Sequence, residues 1–336
     1  MSSSQKALAV IGAGSWGTAL AIQFARAGRR TLLWGRDARQ LEMLAGDRCN
    51  RRYLPGAGFP DSLEVVPDLG DAVKQAGDIL VCVPSHAFHE TLVALRPHLA
   101  ADARLCWATK GFEMDTGRLP HQVAADVLGA TLPTAVLSGP TFAREVGAGL
   151  PTAMTVASEN EEFARDLAES ISDHGFRAYT SSDITGVEVG GAVKNVLAIG
   201  AGISDGLGYG ANTRVALITR GLSEMTRLGL ALGARPETFM GLAGMGDLIL
   251  TCTDDQSRNR RMGLALAAGK TVAEAETEIQ QVVEGVQAAR AVWQLAHKLG
   301  VEMPITEQVY RVLYEGLKPA EAVQNLMGRQ LRGEHD

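Results

Sequence analysis

The 336-residue chain holds only four cysteines, Cys49, Cys82, Cys106 and Cys252, none paired as CxxC and none beside a ligand-like histidine. This excludes a disulfide framework and a cysteine-ligated metal, and leaves reduced, buried thiols as the expectation. No His/Asp/Glu group has ligand spacing, so no metal is expected. No nucleophile elbow is present. There is no Lys/Arg run of the kind that nucleic-acid binding needs, and the net charge is -6, which argues against nucleic acid as a main partner. An anionic substrate therefore needs a local basic pocket. The first apolar run follows the short polar stretch Met1–Lys6 and breaks at Gly12, too early for a signal peptide or a membrane span. The expectation is a cytoplasmic protein with no membrane insertion. No internal repeat or low-complexity tract occurs.

What is present suits an ordinary globular protein: 46% of residues are hydrophobic and 21% charged, over a length that suggests two domains. Short apolar runs at Ala7–Ile11, Thr31–Trp34, Ile79–Val83, Leu105–Ala108 and Ala135–Leu137 alternate with helix-like stretches such as Trp16–Ala27 and Ala87–Leu95. Continuous apolarity marks strands buried on both faces. A further strand–helix–strand unit is expected at Ala153–Ala157, Glu161–Ser172 and Phe176–Tyr179. The fold class is thus α/β: an N-terminal doubly wound (Rossmann-type), mostly parallel sheet over residues 1–182. From about Asp183 helical periodicity takes over, as in Val215, Ile218, Leu222, Met225, Leu228 and Leu232. Residues 183–336 are expected to form an all-α domain.

A strand running into Gly12-Ala13-Gly14-Ser15-Trp16-Gly17 and then a helix forms a dinucleotide fingerprint. Gly12 permits the tight turn, Gly14 lets a pyrophosphate approach the backbone, and Gly17 lets helix and strand pack closely. The second strand ends at Trp34-Gly35-Arg36-Asp37. Arg36 suits the 2′-phosphate of NADPH. Asp37 keeps NADH open, unless it merely caps the next helix. Lys110 and the small-residue stretch from Ser138 through Gly139 and Thr141 to Ala143 follow later strands at the carboxyl edge, where open α/β sheets bind ligands.

In the second half Lys194 lies on an apolar helix whose neighbours at helical spacing, Gly190, Gly191, Leu197 and Ala198, include no carboxylate. Desolvation lowers an ammonium pKa and suits it to acid/base work, whereas the alternative is a lysine reaching solvent. Asp247 follows a glycine-rich turn. Ser257, Arg258 and Asn259 are hydroxyl and phosphate ligand types, with Arg258 supplying a planar fork. Together these residues point to hydride transfer onto a small phosphorylated carbonyl compound.

These motifs resemble the bacterial NAD(P)-dependent glycerol-3-phosphate dehydrogenases, nearly end to end. The matching stretches are GAGSWGTALA from Gly12, ATKGFE from Ala108, LSGPTFAREV from Leu137, GGAVKNVLAIGAGISDGLGYGANTRVALITRG from Gly190, LAGMGDLILTCTDDQSRNRRMG from Leu242 and VVEGV from Val282. The resemblance implies reduction of dihydroxyacetone phosphate to glycerol 3-phosphate for phospholipid synthesis, by a homodimer. It implies Lys194 as general acid/base, and Lys110, Gly139, Thr141, Asp247, Ser257, Arg258 and Asn259 as substrate contacts. It implies cofactor contacts at Ser15, Trp16, Arg36, Lys110, Ala143, Arg258, Val282 and Glu284. Tyr53 is a further cofactor candidate or a packed loop tyrosine. The rival enzyme reading is another two-domain β-hydroxyacid dehydrogenase, which would not carry the DDQSRN segment from Asp254. The rival outside enzymes is a nicotinamide-binding regulator without catalysis.

Overall fold

A computed structural model describes residues 6–114, 116–330 and 333. Its contacts divide the chain into two compact units, Met1–Glu113 with Arg118–Glu188, and Met114–Gly117 with Val189–Asp336. The division falls inside the helix Ile184–Gly206, just beyond the 182/183 boundary drawn from the sequence.

The first unit is built on eight strands: β1 (Ala7–Ile11), β2 (Thr31–Trp34), β3 (Leu63–Val65), β4 (Ala76–Val81), β5 (Arg104–Trp107), β6 (Thr134–Ser138), β7 (Thr152–Ala157) and β8 (Phe176–Ser181). Their order is β3-β2-β1-β4-β5-β6-β7-β8. Every neighbouring pair is parallel except β6 with β7. The continuous apolar runs are explained by burial: all five residues of β1 are buried, because helices cover both faces of a parallel sheet. The three-residue β3 was not anticipated. It lies at the edge, and only Leu63 of its residues is buried, so it carries little apolar signal.

The strand order reverses between β1 and β4, whose last residues Ile11 and Val81 are register partners. Connections leaving these two strands diverge, which opens a crevice beyond their carboxyl ends. At the opposite end of the strands, Asp78 accepts from Arg29 at 2.6 Å and Arg104 at 2.7 Å. These ion pairs compensate the burial of the Asp78 carboxylate.

In the second unit every regular element among the described residues is helical. The helix Ile184–Gly206 is the one described helix long and apolar enough to cross a membrane, and its most apolar 18-residue stretch is wholly buried.

Candidate active site

Apart from Tyr53, the sequence-predicted residues of the first unit follow the carboxyl ends of its parallel strands. Gly12 follows β1 at φ 125°, and a Cβ there would stand 2.5 Å from the Cys82 carbonyl oxygen. A Cβ on Gly17 would stand 1.9 Å from the Gly12 oxygen, so helix and strand approach too closely for any side chain. Gly14 is different: a Cβ would meet nothing within 4 Å, which leaves open space over the loop. The helix Ser15–Arg26 begins there with no side-chain cap, so its first N–H groups are left to a ligand. The indole Nε1 of Trp16 and the hydroxyl of Ser138 at the end of β6 are buried without a partner. Uncapped amides, open space and an orphaned donor fit a dinucleotide pyrophosphate.

Arg36, past the end of β2, is exposed. Asp37 caps the helix Ala38–Asp47, accepting from the Arg39 N–H at 3.0 Å and the Gln40 N–H at 3.3 Å. Tyr53 is half-buried, and the Arg52 guanidinium lies 4.9 Å from its ring centre. Lys110 follows β5, where the Thr109 hydroxyl donates to the Val83 carbonyl at 2.8 Å and ties the ends of β5 and β4 together. Gly139 follows β6, and the Thr141 hydroxyl donates to its carbonyl at 3.1 Å. Ala143 opens the helix Ala143–Ala148.

The second unit assembles its residues from distant parts of the chain. Lys194 is 8% exposed. Its ammonium donates to Asp247 Oδ1 at 2.6 Å and to Thr251 Oγ1 at 2.9 Å. The Thr251 hydroxyl gives its own proton to the Asp247 carbonyl at 2.6 Å, so its lone pairs face the lysine. These two bonds fix the orientation of the ammonium. The helical neighbourhood of Lys194 offers no counter-charge, and Asp247 supplies it from 53 residues away. Asp247 begins its helix directly after a π-helical turn at Leu242–Gly246. Gly190 near Lys194 has a reason: a Cβ there would stand 2.4 Å from the Ala243 carbonyl oxygen of that turn.

Beside Lys194, Asn195 Oδ1 accepts from Asn259 Nδ2 at 2.9 Å, and Asn259 Oδ1 accepts from the Gly285 N–H at 2.8 Å. Asn195 Nδ2 donates to Glu284 Oε2 at 3.4 Å. Ser257 caps the helix Arg258–Ala267, its hydroxyl oxygen accepting from the Arg260 N–H at 3.2 Å. Arg258 is half-buried in the first turn, and Val282 is exposed. Arg260 is engaged structurally with Asp205 at 2.7 Å and with Asp255. Sequence reasoning did not single out Asn195 and did not pair Thr251 with Lys194. The four-residue step from Asp247 to Thr251 was a usable signal, since it places both on one helix face. Asn195 had none beyond its place next to Lys194.

Burial pushes the thiols of Cys82, Cys106 and Cys252 up, the last to about 12, so none of the three offers a thiolate nucleophile. Among the described residues no group of three His, Cys, Asp or Glu is placed to hold a metal.

The family model for the NAD-dependent glycerol-3-phosphate dehydrogenase N-terminus matches residues 7–164, and that for the C-terminus matches residues 183–324. The chain belongs to this family. It is 59% identical over 328 residues to the glycerol-3-phosphate dehydrogenase [NAD(P)+] of Vibrio cholerae, covering 97% of this chain and 95% of that one. The same enzyme of Yersinia pestis is 56% identical over 335 residues, 99% of each. The crystal structure of the glycerol-3-phosphate dehydrogenase of Coxiella burnetii superposes with a TM-score of 0.93 at 48% identity, over 97% of this chain and 99% of that one. Both halves match the dehydrogenase family, which sets aside the other β-hydroxyacid dehydrogenases.

Proposed function

We propose that this chain reduces dihydroxyacetone phosphate reversibly to sn-glycerol 3-phosphate, with Lys194 handling the proton. The observation that carries the reading is the buried Lys194–Asp247–Thr251 cluster, in a chain that matches the glycerol-3-phosphate dehydrogenases almost throughout. A nicotinamide dinucleotide, when bound, supplies the hydride. The first unit holds it: Gly12, Gly14, Ser15, Trp16 and Gly17 cradle the pyrophosphate, with Lys110 and Ala143 alongside and Tyr53 as a further contact. In the second unit, the family resemblance implies Arg258, Val282 and Glu284 as cofactor positions. Asp37 is occupied as a helix cap, and Arg36 is exposed. That division favours a 2′-phosphate and hence NADPH, with NADH as the alternative.

The Lys194 ammonium gives a proton to the alkoxide that develops on the carbonyl oxygen, and in the reverse direction its neutral amine takes one back. Asp247 and Thr251 hold that ammonium in place, so its charge is aimed before the reaction begins. In the second unit, Arg258 binds the substrate phosphate as a fork, with Ser257 and Asn259 beside it in sequence; the family resemblance implies Lys110, Gly139 and Thr141 of the first unit as further substrate positions. Binding energy from the phosphate positions the carbonyl. A homodimer working in the cytoplasm and feeding phospholipid synthesis completes the reading, supported by the family resemblance. The decisive assay follows absorbance of NADPH or NADH on adding dihydroxyacetone phosphate. Oxidation of either cofactor is expected, and none with both would refute the assignment.

A further inference from the structure

The carbonyl of Ala13, inside the glycine loop, accepts two side-chain amides from elsewhere in the first unit. Gln40 Nε2 donates at 2.7 Å and Asn50 Nδ2 at 3.1 Å. Asn50 is 1% exposed. Its second amide hydrogen reaches Thr18 Oγ1 at 2.8 Å, and its Oδ1 accepts from the Tyr53 N–H at 3.1 Å. Each hydrogen-bonding group of this side chain is therefore used, on three separate pieces of backbone and helix. Gln40 sits in the first turn of the helix that Asp37 caps.

A trans peptide points its C=O and its N–H in opposite directions. Fixing the Ala13 oxygen on Gln40 and Asn50 therefore aims the Gly14 N–H the opposite way. Gly14 precedes the uncapped helix Ser15–Arg26 and has open space beside it. We infer that Asn50, assisted by Gln40, is a positioning residue that sets the glycine loop in its cofactor-binding conformation. The inference rests on the reading of that loop as the dinucleotide site. It adds that the loop is not held by its glycines alone: without the two amides, the Ala13–Gly14 peptide can rotate and lose its aim. The same two residues tie the loop to the segment carrying Arg36 and to the turn carrying Tyr53.

The pyrophosphate is common to both dinucleotides, so a fault in the loop weakens NADPH and NADH alike. A fault at Arg36 separates them. The test measures dissociation constants for both dinucleotides and for adenosine diphosphate by calorimetry, with steady-state kinetics, on wild type, Asn50→Leu and Gln40→Ala. For Asn50→Leu we expect all three constants to rise about tenfold, and for Gln40→Ala about threefold, the loss of one or two hydrogen bonds. The cofactor KM should rise with them, while kcat at saturating cofactor and the KM for dihydroxyacetone phosphate carry none of the loss. If Asn50→Leu does not fold, Gln40→Ala alone carries the test. Unchanged constants in the folded variants would overturn the assignment, as would a fall in kcat that matches the rise in KM. A wild type that binds neither dinucleotide would overturn the cofactor reading itself.

Discussion

The two units place their chemistry on very different stretches of chain. In the sheet unit the glycine loop proposed to bind the cofactor runs from Gly12 to Gly17, a single continuous segment. In the helical unit the partners of Lys194 lie 53 and 57 residues away, and the Asn195 network spans 64 and 89 residues. The first site is a backbone shape, which glycines impose locally. The second is a constellation of side chains, which only tertiary packing brings together. A backbone site is damaged by altering the loop or its supports. A constellation is damaged by removing one member and leaving its buried partner unmatched.

That contrast can be broken by mutation. Lys194→Ala should remove the ion pair that Lys194 makes with the Asp247 carboxylate, only 2% exposed, at a cost of about 3–5 kcal/mol in unfolding free energy. Lys194→Ala combined with Asp247→Ala should recover part of that loss. If the double variant is no more stable than the single one, the pair is not the coupled unit described. Glu224 gives the next largest effect. Burial pushes its carboxyl up to about 7, against the pull of the Ile305 and Thr306 N–H groups it accepts from. With the folded value above the unfolded 4.5, the folded chain keeps a proton that the unfolded chain releases. Stability at this group should therefore fall by about 3 kcal/mol as pH rises from about 4.5 to about 7. Calorimetric unfolding across that window should show the slope in wild type and a flatter one in Glu224→Gln. An equal slope in both would remove Glu224 as its source. The smallest effect belongs to the sheet unit. Arg36→Ala should lower the NADPH/NADH ratio of kcat/KM about tenfold, the scale of one charge-assisted hydrogen bond. An unchanged ratio would take coenzyme choice away from Arg36.

The strands β1, β2, β4, β5 and β6 were legible because a sheet covered on both faces needs unbroken apolar runs, and the chain supplies them. The short edge strand β3 was not, since one buried residue makes no pattern. Lys194 stood out because an apolar helix carried a charge with no local counterpart. Its partner could be named as a candidate but not paired, because no spacing rule reaches across 53 residues. Asp37 illustrates the converse limit. Its sequence position suits either a ribose ligand or a helix cap, and only the bonds to the Arg39 and Gln40 N–H groups reveal the cap. Asn50 and Gln40 left no trace in the sequence, because their shared target is a main-chain carbonyl, which carries no residue identity.

The central claim is that the helical unit supplies the proton while the sheet unit binds the cofactor. It is tested most directly in Lys194→Gln, which keeps a hydrogen-bond donor toward Asp247 but has no acidic proton to give. The measurement is kcat for dihydroxyacetone phosphate together with the NADPH dissociation constant, on one preparation. The account predicts a fall in kcat of about 1,000-fold, within the range for a lost general acid, with the dissociation constant unchanged. Retained turnover, or a loss of cofactor binding in proportion to the loss of turnover, would contradict it.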